Sequence, residues 1–292
     1  MIIIGIPAYN EEKNIAKIIL KLRPLVDKII VCDDGSNDYT SKISKEMGAD
    51  VINHEKNLGY GGAIRSLFLK ASELNADIFV TFDADGQHRI EDVSKLLEPI
   101  NKQESDIVIG SRFLNNETDI PKYRKIGIKA ITKLTNVSGE MKITDSQSGL
   151  RAYSKKAIQS IIPSENGMGI STEILIKANK KNLKIIEIPI KILYEGKTST
   201  HHPVSHGVSV IFSTMKFISI EHPLKFYGIP GIIFLFIGLF FTVWTIQAFT
   251  ETRQIFTNIA LIGVGSIIFG TILSMTAIIL FSMVNVVRER KN

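Results

Sequence analysis

Apolar residues in the first half of the chain follow two alternating spacings. Short β-branched runs occupy residues 2–6, 28–32, 78–82 and 106–109. They are too short for helices and continuously apolar, as strands buried on both faces of a parallel sheet are. Between them the spacing lengthens: Ile15, Ile18, Ile19 and Leu22 fall on one helical face behind Asn10, a candidate N-cap, and residues 63–74 and 90–100 keep the same period. Strand and helix in alternation predict an α/β domain, a parallel sheet covered by helices with its ligand loops at the C-terminal ends of the strands. The pattern weakens after Arg112, where residues 114–121 read as a polar loop and 123–137 as a helix. No internal repeat or low-complexity tract interrupts it.

A different pattern closes the chain. Residues 226–250 and 254–287 contain no charge, and Glu251 and Arg253 lie between them. Each run exceeds the roughly 20 residues with which a helix crosses about 30 Å of hydrocarbon, so a two-span membrane hairpin is expected. The hairpin explains how a chain that is 22% charged reaches a mean hydropathy of +0.15. Ahead of it, Val204, Val208, Ile211, Phe212, Met215 and Ile218 share a helical face, with Ser205, Ser209, Ser213 and Lys216 on the remainder. That pattern suits a helix lying in the membrane surface, or an amphipathic helix packed on the domain. The expected division is a soluble domain over 1–200, a juxtamembrane helix over 201–225 and two spans over 226–292.

Composition adds limits. At 45% apolar, 22% charged and 8% aromatic, the 292 residues exclude disordered, collagenous, coiled-coil and disulfide-stapled classes, and 35 Lys plus Arg against 29 Asp plus Glu, a net charge of +6, is too small an excess for a nucleic-acid surface. Lys225 and the tail residues Arg288, Arg290 and Lys291 flank the spans, so the positive-inside tendency puts the N-terminal domain and the C-terminus in the cytoplasm. The first ten residues contain Pro7 and no basic region, unlike a signal peptide. Cys32 is the only cysteine, which excludes an internal disulfide and suits a reducing compartment. His201, His202 and His206 have no neighbouring carboxylate or cysteine and read as basic residues at the membrane interface rather than a metal cluster.

The ends of the predicted strands carry the candidate chemistry. The first runs into Pro7-Ala8-Tyr9-Asn10-Glu11, the second into Asp33-Asp34-Gly35-Ser36, and the one at 78–82 into Asp83-Ala84-Asp85-Gly86-Gln87. Carboxylates gathered at one sheet edge repel one another unless a cation or a donor-rich ligand joins them. Two Asp flanking one Ala can face a single hard divalent ion, although the same pattern suits a turn in which an Asp caps the next helix. Mg²⁺ or Mn²⁺ is commonly held by one or two carboxylates plus substrate phosphates, which points to a nucleoside diphosphate ligand.

Six segments follow one another in order: Pro-Ala-Tyr-Asn-Glu-Glu from position 7, Asp-Asp-Gly-Ser-Asn-Asp-Tyr-Thr at 33–40, Asn-Leu-Gly-Tyr-Gly-Gly-Ala at 57–63, Asp-Ala-Asp-Gly-Gln-His at 83–88, Gly-Ser-Arg at 110–112 and Asp-Ser-Gln-Ser-Gly-Leu-Arg at 145–151. Together they resemble family 2 glycosyltransferases of the GT-A fold, and more narrowly the dolichyl-phosphate mannose and glucose synthase group, over residues 1 to about 200. The resemblance implies a GT-A domain that transfers a sugar, with inversion, from a nucleotide-sugar donor to dolichyl or another polyprenyl phosphate, using Mg²⁺ or Mn²⁺ and feeding protein or cell-surface glycosylation. Pro7, Tyr9, Glu11, Asp33 and Asp34 resemble the residues lining the base and ribose. Asp83, Ala84 and Asp85 resemble the ribose and metal contacts, with Gln87 a further metal contact. Gly59, Gly61 and Gly62 open a helix that either approaches phosphate or makes a tight turn.

Arg112 and Arg124 resemble an acceptor-phosphate clamp, and with Asp85 they are the candidate catalytic residues. A phosphate monoester is already anionic near neutral pH, so cations that position it matter more than a base. Asp145, Ser146, Gln147 and Arg151 resemble the rest of the sugar pocket, with capping by Asp145 and internal pairing of Arg151 as the alternative. Two departures from the group stand out. Ile128 replaces a phosphate-touching Ser, so that contact is lost or moved to Thr132. Residues 193–199, Leu-Tyr-Glu-Gly-Lys-Thr-Ser, lack the Arg found there in mannose-transferring relatives, leaving Lys197 or His201 to supply the cation. The second departure favours a UDP-sugar, N-acetylglucosamine or glucose, over GDP-mannose. A sugar nucleotidyltransferase would open with a Gly-rich basic loop, which Pro7-Ala8-Tyr9-Asn10 is not, and a non-catalytic scaffold would show damaged motifs where Asp83, Asp85 and Gln87 are intact.

Overall fold

Period-two alternation in the first strand sends Ile4 and Ile6 to one face of a sheet and Ile3 to the other, and both faces are covered. The computed structural model describes residues 1–114, 120–139, 141–192, 215, 218–220, 222–254 and 256–289. Lys197, His201, His202 and His206, most of the 204–218 amphipathic pattern, Arg290 and Lys291 lie outside the described residues.

The strands are β1 (Ile2–Ala8), β2 (Lys28–Asp33), β3 (Asp50–Asn53), β4 (Ile78–Thr81), β5 (Ile107–Ser111), β6 (Arg151–Ser154) and β7 (Ile185–Pro189). They form one sheet in the order β3-β2-β1-β4-β6-β5-β7. Every pairing is parallel except those of β6, which runs antiparallel between β4 and β5, with Thr81 opposite Arg151 and Val108 opposite Ala152. The helices are α1 (Ile15–Leu22), α2 (Thr40–Glu46), α3 (Tyr60–Glu73), α4 (Glu91–Asn101), α5 (Lys122–Gly139), α6 (Lys155–Ser160) and α7 (Ile170–Lys180).

Ile15, Ile18, Ile19 and Leu22 of α1 and Val93, Leu96, Leu97 and Ile100 of α4 bury one sheet face with Ile4, Ile6, Val31 and Val80. Residues of α3, α6 and α7 bury the other, where Phe68, Phe79 and Tyr153 pack edge-to-face and stacked at centroid separations of 4.7 to 6.0 Å. The predicted strands and helices are present to within a few residues. One boundary differs: α1 starts after Asn14, and Asn10 is not its cap. Asn10 adopts φ 57° and binds the next strand's turn, its N–H donating to Ser36 Oγ and its Oδ1 accepting from Asn37 N.

The chain divides into two compact units, Met1–Thr214 and Met215–Asn292. The second contains α8 (Ile229–Thr252), entered through a π-helical turn at Leu224–Gly228, and α9 (Thr257–Glu289). Arg253, at φ 54°, closes α8 with its N–H on Phe249 O. Both helices are long and apolar enough to span a membrane, and few of their residues are buried. Ile232, Phe236, Phe240 and Ile278 instead face outward.

Candidate active site

The parallel strands β1, β2 and β4 end at one edge of the sheet, and because β6 runs the other way its start, not its end, lies there. The turn at residues 145–150 is thereby set opposite the turn after β4. Gly149 is packed so closely on Asp83 that a Cβ there would lie 2.0 Å from Oδ2.

Asp83 is held from two sides. The Tyr60 hydroxyl donates to Oδ1 at 3.2 Å, and His88 Nε2 lies 3.3 Å from Oδ2. Burial alone would lift its carboxyl, but His88, Tyr60 and the charge of Arg112 outweigh burial and hold it below the usual carboxylate range. Asp85 is shifted the other way, by burial first and the Asp83 charge second, against partial relief from His88, the Gln87 N–H at 3.0 Å and Arg124. Glu11 is also raised, chiefly by burial, and senses Asp85 and Asp38. Glu11, Asp83 and Asp85 therefore form one acidic group, opposed by His88, Arg112 and Arg124.

The remaining expected site residues divide into exposed and internal ones. Tyr9 is 37% exposed beyond the end of β1, while Pro7 and Ala84 are buried. Asp33 accepts from the Ser36 N–H at 3.1 Å and from its hydroxyl, closing the turn after β2. Asp34, expected to accept from a base, is buried and occupied by its own chain. It accepts from Leu58 N and Gly59 N at 2.9 Å and lies 2.6 Å from His54 Nδ1, whose Nε2 reaches Ser66. Asp34 thereby holds the 57–59 loop in place. Gly59, at φ 87°, makes the tight turn into α3, and Gly61 is pressed on backbone, since a Cβ there would lie 2.5 Å from Glu165 O and Gly167 O. Protein backbone covers that face of Gly61.

The acceptor residues are rearranged more. Asp145 has 0% exposure and receives Arg112 through two bonds, Nε at 2.6 Å and Nη2 at 2.7 Å. Asp145, expected at the sugar pocket, makes an ion pair that fixes Arg112, and Arg112 holds its carboxyl low despite burial. Glu187 of β7 supports the pair, accepting from Thr144 N and Asp145 N at 2.8 and 2.9 Å. Arg151 is also internal, donating to the carbonyls of Ser146, Ser148 and Ser171 at 2.7 to 3.1 Å. Ser146 is buried against Thr132, whose hydroxyl bonds the Ser146 side chain and accepts from its N–H. Gln147 is half-buried, its amide on Ser146 and Thr172. Arg124 is half-buried near the start of α5, and its charge reaches Asp85.

Tyr60, His88, Gly149 and Glu187 had no role assigned by sequence reasoning. The first three lie inside recognised segments, but only the fold reveals that all three bear on Asp83.

Among the described residues, no three of His, Cys, Asp and Glu converge as a self-sufficient metal site. Asp83, Asp85 and Gln87 are hard oxygen donors on one turn, a set that fits a divalent ion completing its shell with phosphate or water.

Known proteins resemble this arrangement at three levels. A UDP-N-acetylglucosamine–dolichyl-phosphate N-acetylglucosaminyltransferase from Methanococcus voltae is 39% identical over 233 residues, covering 72% of this chain and 91% of the relative. A dolichyl-phosphate hexose transferase from Haloferax volcanii is 30% identical over 219 residues, covering 74% and 93%. Among solved structures, glucosyl-3-phosphoglycerate synthase from Mycobacterium tuberculosis with uridine-diphosphate shares the fold at a TM-score of 0.61 and 22% identity, over 75% of this chain and 80% of that one. That enzyme was also crystallised with Mn²⁺, UDP and glucosyl-3-phosphoglycerate, at a TM-score of 0.58, 22% identity and coverage of 74% and 79%. The model of glycosyl transferase family 2 matches residues 3–162. With the acidic edge, the mostly parallel sheet and these matches in agreement, the chain is a glycosyltransferase and belongs to family 2.

Proposed function

We propose that this glycosyltransferase moves N-acetylglucosamine or glucose from a UDP-sugar to dolichyl or another polyprenyl phosphate, with inversion at the anomeric carbon. The observation that carries the reading is the opposition of Arg112 and Arg124 to the Asp83 and Asp85 carboxylates at one sheet edge. The acids suit a cation-bound diphosphate and the arginines suit a second anion, the acceptor phosphate. The activity named for the Methanococcus relative supports the donor and acceptor, and the two apolar helices suit an enzyme whose acceptor is dissolved in a membrane. The residues over 1–200 form the catalytic part, 201–225 the approach to the membrane and 226–292 its two spans, with the catalytic part and the C-terminus cytoplasmic.

Asp83, Asp85 and Gln87 would hold Mg²⁺ or Mn²⁺ in this reading, and the positive charge so bound would balance that of the diphosphate leaving group. Pro7, Tyr9 and Glu11 line the nucleotide, Asp33 and Asp34 shape its loops, and Lys197 is the further cation for the diphosphate. Arg112, immobilised by Asp145, and Arg124 orient the lipid phosphate so that one of its oxygens bonds to the anomeric carbon as the carbon–oxygen bond to UDP breaks. The acceptor oxygen is already deprotonated, so no protein base is needed.

The test is a donor panel of UDP-N-acetylglucosamine, UDP-glucose and GDP-mannose, given to the purified full chain with a polyprenyl phosphate and Mn²⁺ or Mg²⁺. Release of UDP that depends on the lipid phosphate is expected. Turnover of GDP-mannose alone overturns the donor, and transfer indifferent to the lipid phosphate overturns the acceptor.

A further inference from the structure

Asp83 is the one member of the acidic group bonded by side chains from two different elements. Tyr60 comes from the first residue of α3 and His88 from the approach to α4, and both are ordered by contacts of their own. The His88 side chain is 4% exposed, its ring packs edge-on to Phe82 at 5.7 Å, and its backbone bridges Ile192. Its bond to Asp83 requires the proton on Nε2, and Nδ1 is a buried nitrogen with no partner among the described residues. An unsatisfied buried nitrogen is costly, so a ring retained there is being used for its other nitrogen. Gly149 closes the third side of Asp83, and a cavity with room for about one water lies behind it, lined by Tyr60, Ser148, Gly149 and Arg151.

We infer that Tyr60 and His88 are positioning residues that clamp the Asp83 carboxylate in one orientation, Oδ1 by the phenol and Oδ2 by the imidazole, for the nucleotide-sugar and its divalent ion. The inference rests on the proposed function for the identity of the ligand. Neither residue touches substrate; each acts by removing the torsional freedom of a carboxylate that would otherwise turn between Gly149 and the open edge. Groups that orient a ligating carboxylate from behind commonly change metal affinity or activity by about 10- to 100-fold when lost.

The experiment uses the full chain in detergent, with Tyr60→Phe, His88→Leu and His88→Gln compared with wild type. Calorimetry reads UDP affinity with and without Mn²⁺, kinetics read donor KM and kcat separately, and thermal denaturation reports folding. Tyr60→Phe and His88→Leu are expected to weaken Mn²⁺-dependent UDP binding about tenfold or more with acceptor KM unchanged. His88→Gln, whose amide can again donate to Oδ2, is expected to recover most of the loss. Wild-type UDP affinity in folded Tyr60→Phe and His88→Leu overturns the clamp, as does a loss that follows the fall in melting temperature and is not recovered by Gln. Mn²⁺-dependent UDP binding by wild type without transfer to polyprenyl phosphate defeats the functional reading and leaves the clamp to be judged on binding. No UDP binding by wild type overturns both.

Discussion

Gly149 has no Cβ because Asp83 already occupies the space, 2.0 Å from where that atom would be built. The far end of a flexible side chain could give way, but this one is held by Tyr60 and His88. Gly149→Ala is therefore expected to rotate Asp83 off its partners or to push back the 145–150 turn, either of which displaces the site by about 1 Å. Misplacement of that size costs on the order of 100-fold in rate, and overpacking about 1–3 kcal/mol in stability. Steady-state kinetics and thermal denaturation of the variant check both, and wild-type kcat/KM would contradict the contact. At this scale much of the site was legible in sequence, because an acidic residue at a strand end is chemically conspicuous. Asp34 and Asp145 were legible as positions, and internal pairing was one of the two readings the sequence left open for Arg151. A carboxylate that meets a ligand and one that holds a loop or an arginine read the same until burial is known, and the 0% exposure of Asp145 makes the difference. Cys32 is simpler: burial and then the charges of Asp34 and Asp33 push its thiol up to about 12, so it is an inert core residue.

At the scale of elements, α8 and α9 meet through small residues. A Cβ on Gly231 would lie 3.1 Å from Gly270 O, and one on Gly238 2.9 Å from Gly263 O, so the backbones touch at two levels seven residues apart on each helix. Helix pairs in lipid gain little from burying apolar side chains, which lipid solvates equally well, and rely on such close packing. Gly238→Leu is expected to separate the pair. In the full chain it lowers the detergent melting temperature by several degrees while Mn²⁺-dependent UDP affinity stays within about twofold, since the glycine seam is confined to the Met215–Asn292 unit. An unchanged melting temperature would count against the seam. The two long apolar helices were the easiest elements to read, since each comes from an uncharged run longer than a membrane-crossing helix needs. Short strands were the hardest. β3 has exposed ends and sits at the sheet margin, β6 has four residues including a buried Arg, and β7 ends in Pro189, so none shows the continuous apolar run of β1. What makes them strands is the neighbour they pair with, and single-chain periodicity does not contain that.

For the whole molecule, the buried carboxyls set the response to acid. Asp145 and Glu173 lie below their ordinary values of 3.8 and 4.5; burial would raise each, but Arg112 outweighs it at Asp145, and Lys177 and Ser164 outweigh it at Glu173. A depressed carboxyl contributes stability that is present above its unfolded value and lost as pH falls through its folded one. Glu11 and Glu187 have the opposite sign: burial raises them, so their ionisation costs stability near neutrality and protonation relieves it. The two effects separate in pH. Stability is expected to hold or rise slightly on acidification to just above 4.5 and to fall below it. Asp145→Asn should lower the melting temperature at neutral pH and flatten the acid limb. Melting temperatures across this range test the sign, and a protein that gains stability below the ordinary carboxyl range would refute it.

The antiparallel β6 has a consequence for how the chain comes off the ribosome. β4 and β5 are not neighbours, and the place between them is filled only by Arg151–Ser154. Until those residues are synthesised, the half-sheet β3-β2-β1-β4 waits with an open margin and β5 has no strand on that side, the condition in which nascent chains pair with the wrong partner. Gly149 reaches Asp83 in the same step that closes the gap. The nascent domain is thus open to misassembly in the interval between β5 and β6; β6 then joins the two parts of the sheet and brings the 145–150 turn to the acidic edge, and β7 is added last, at the free margin of β5.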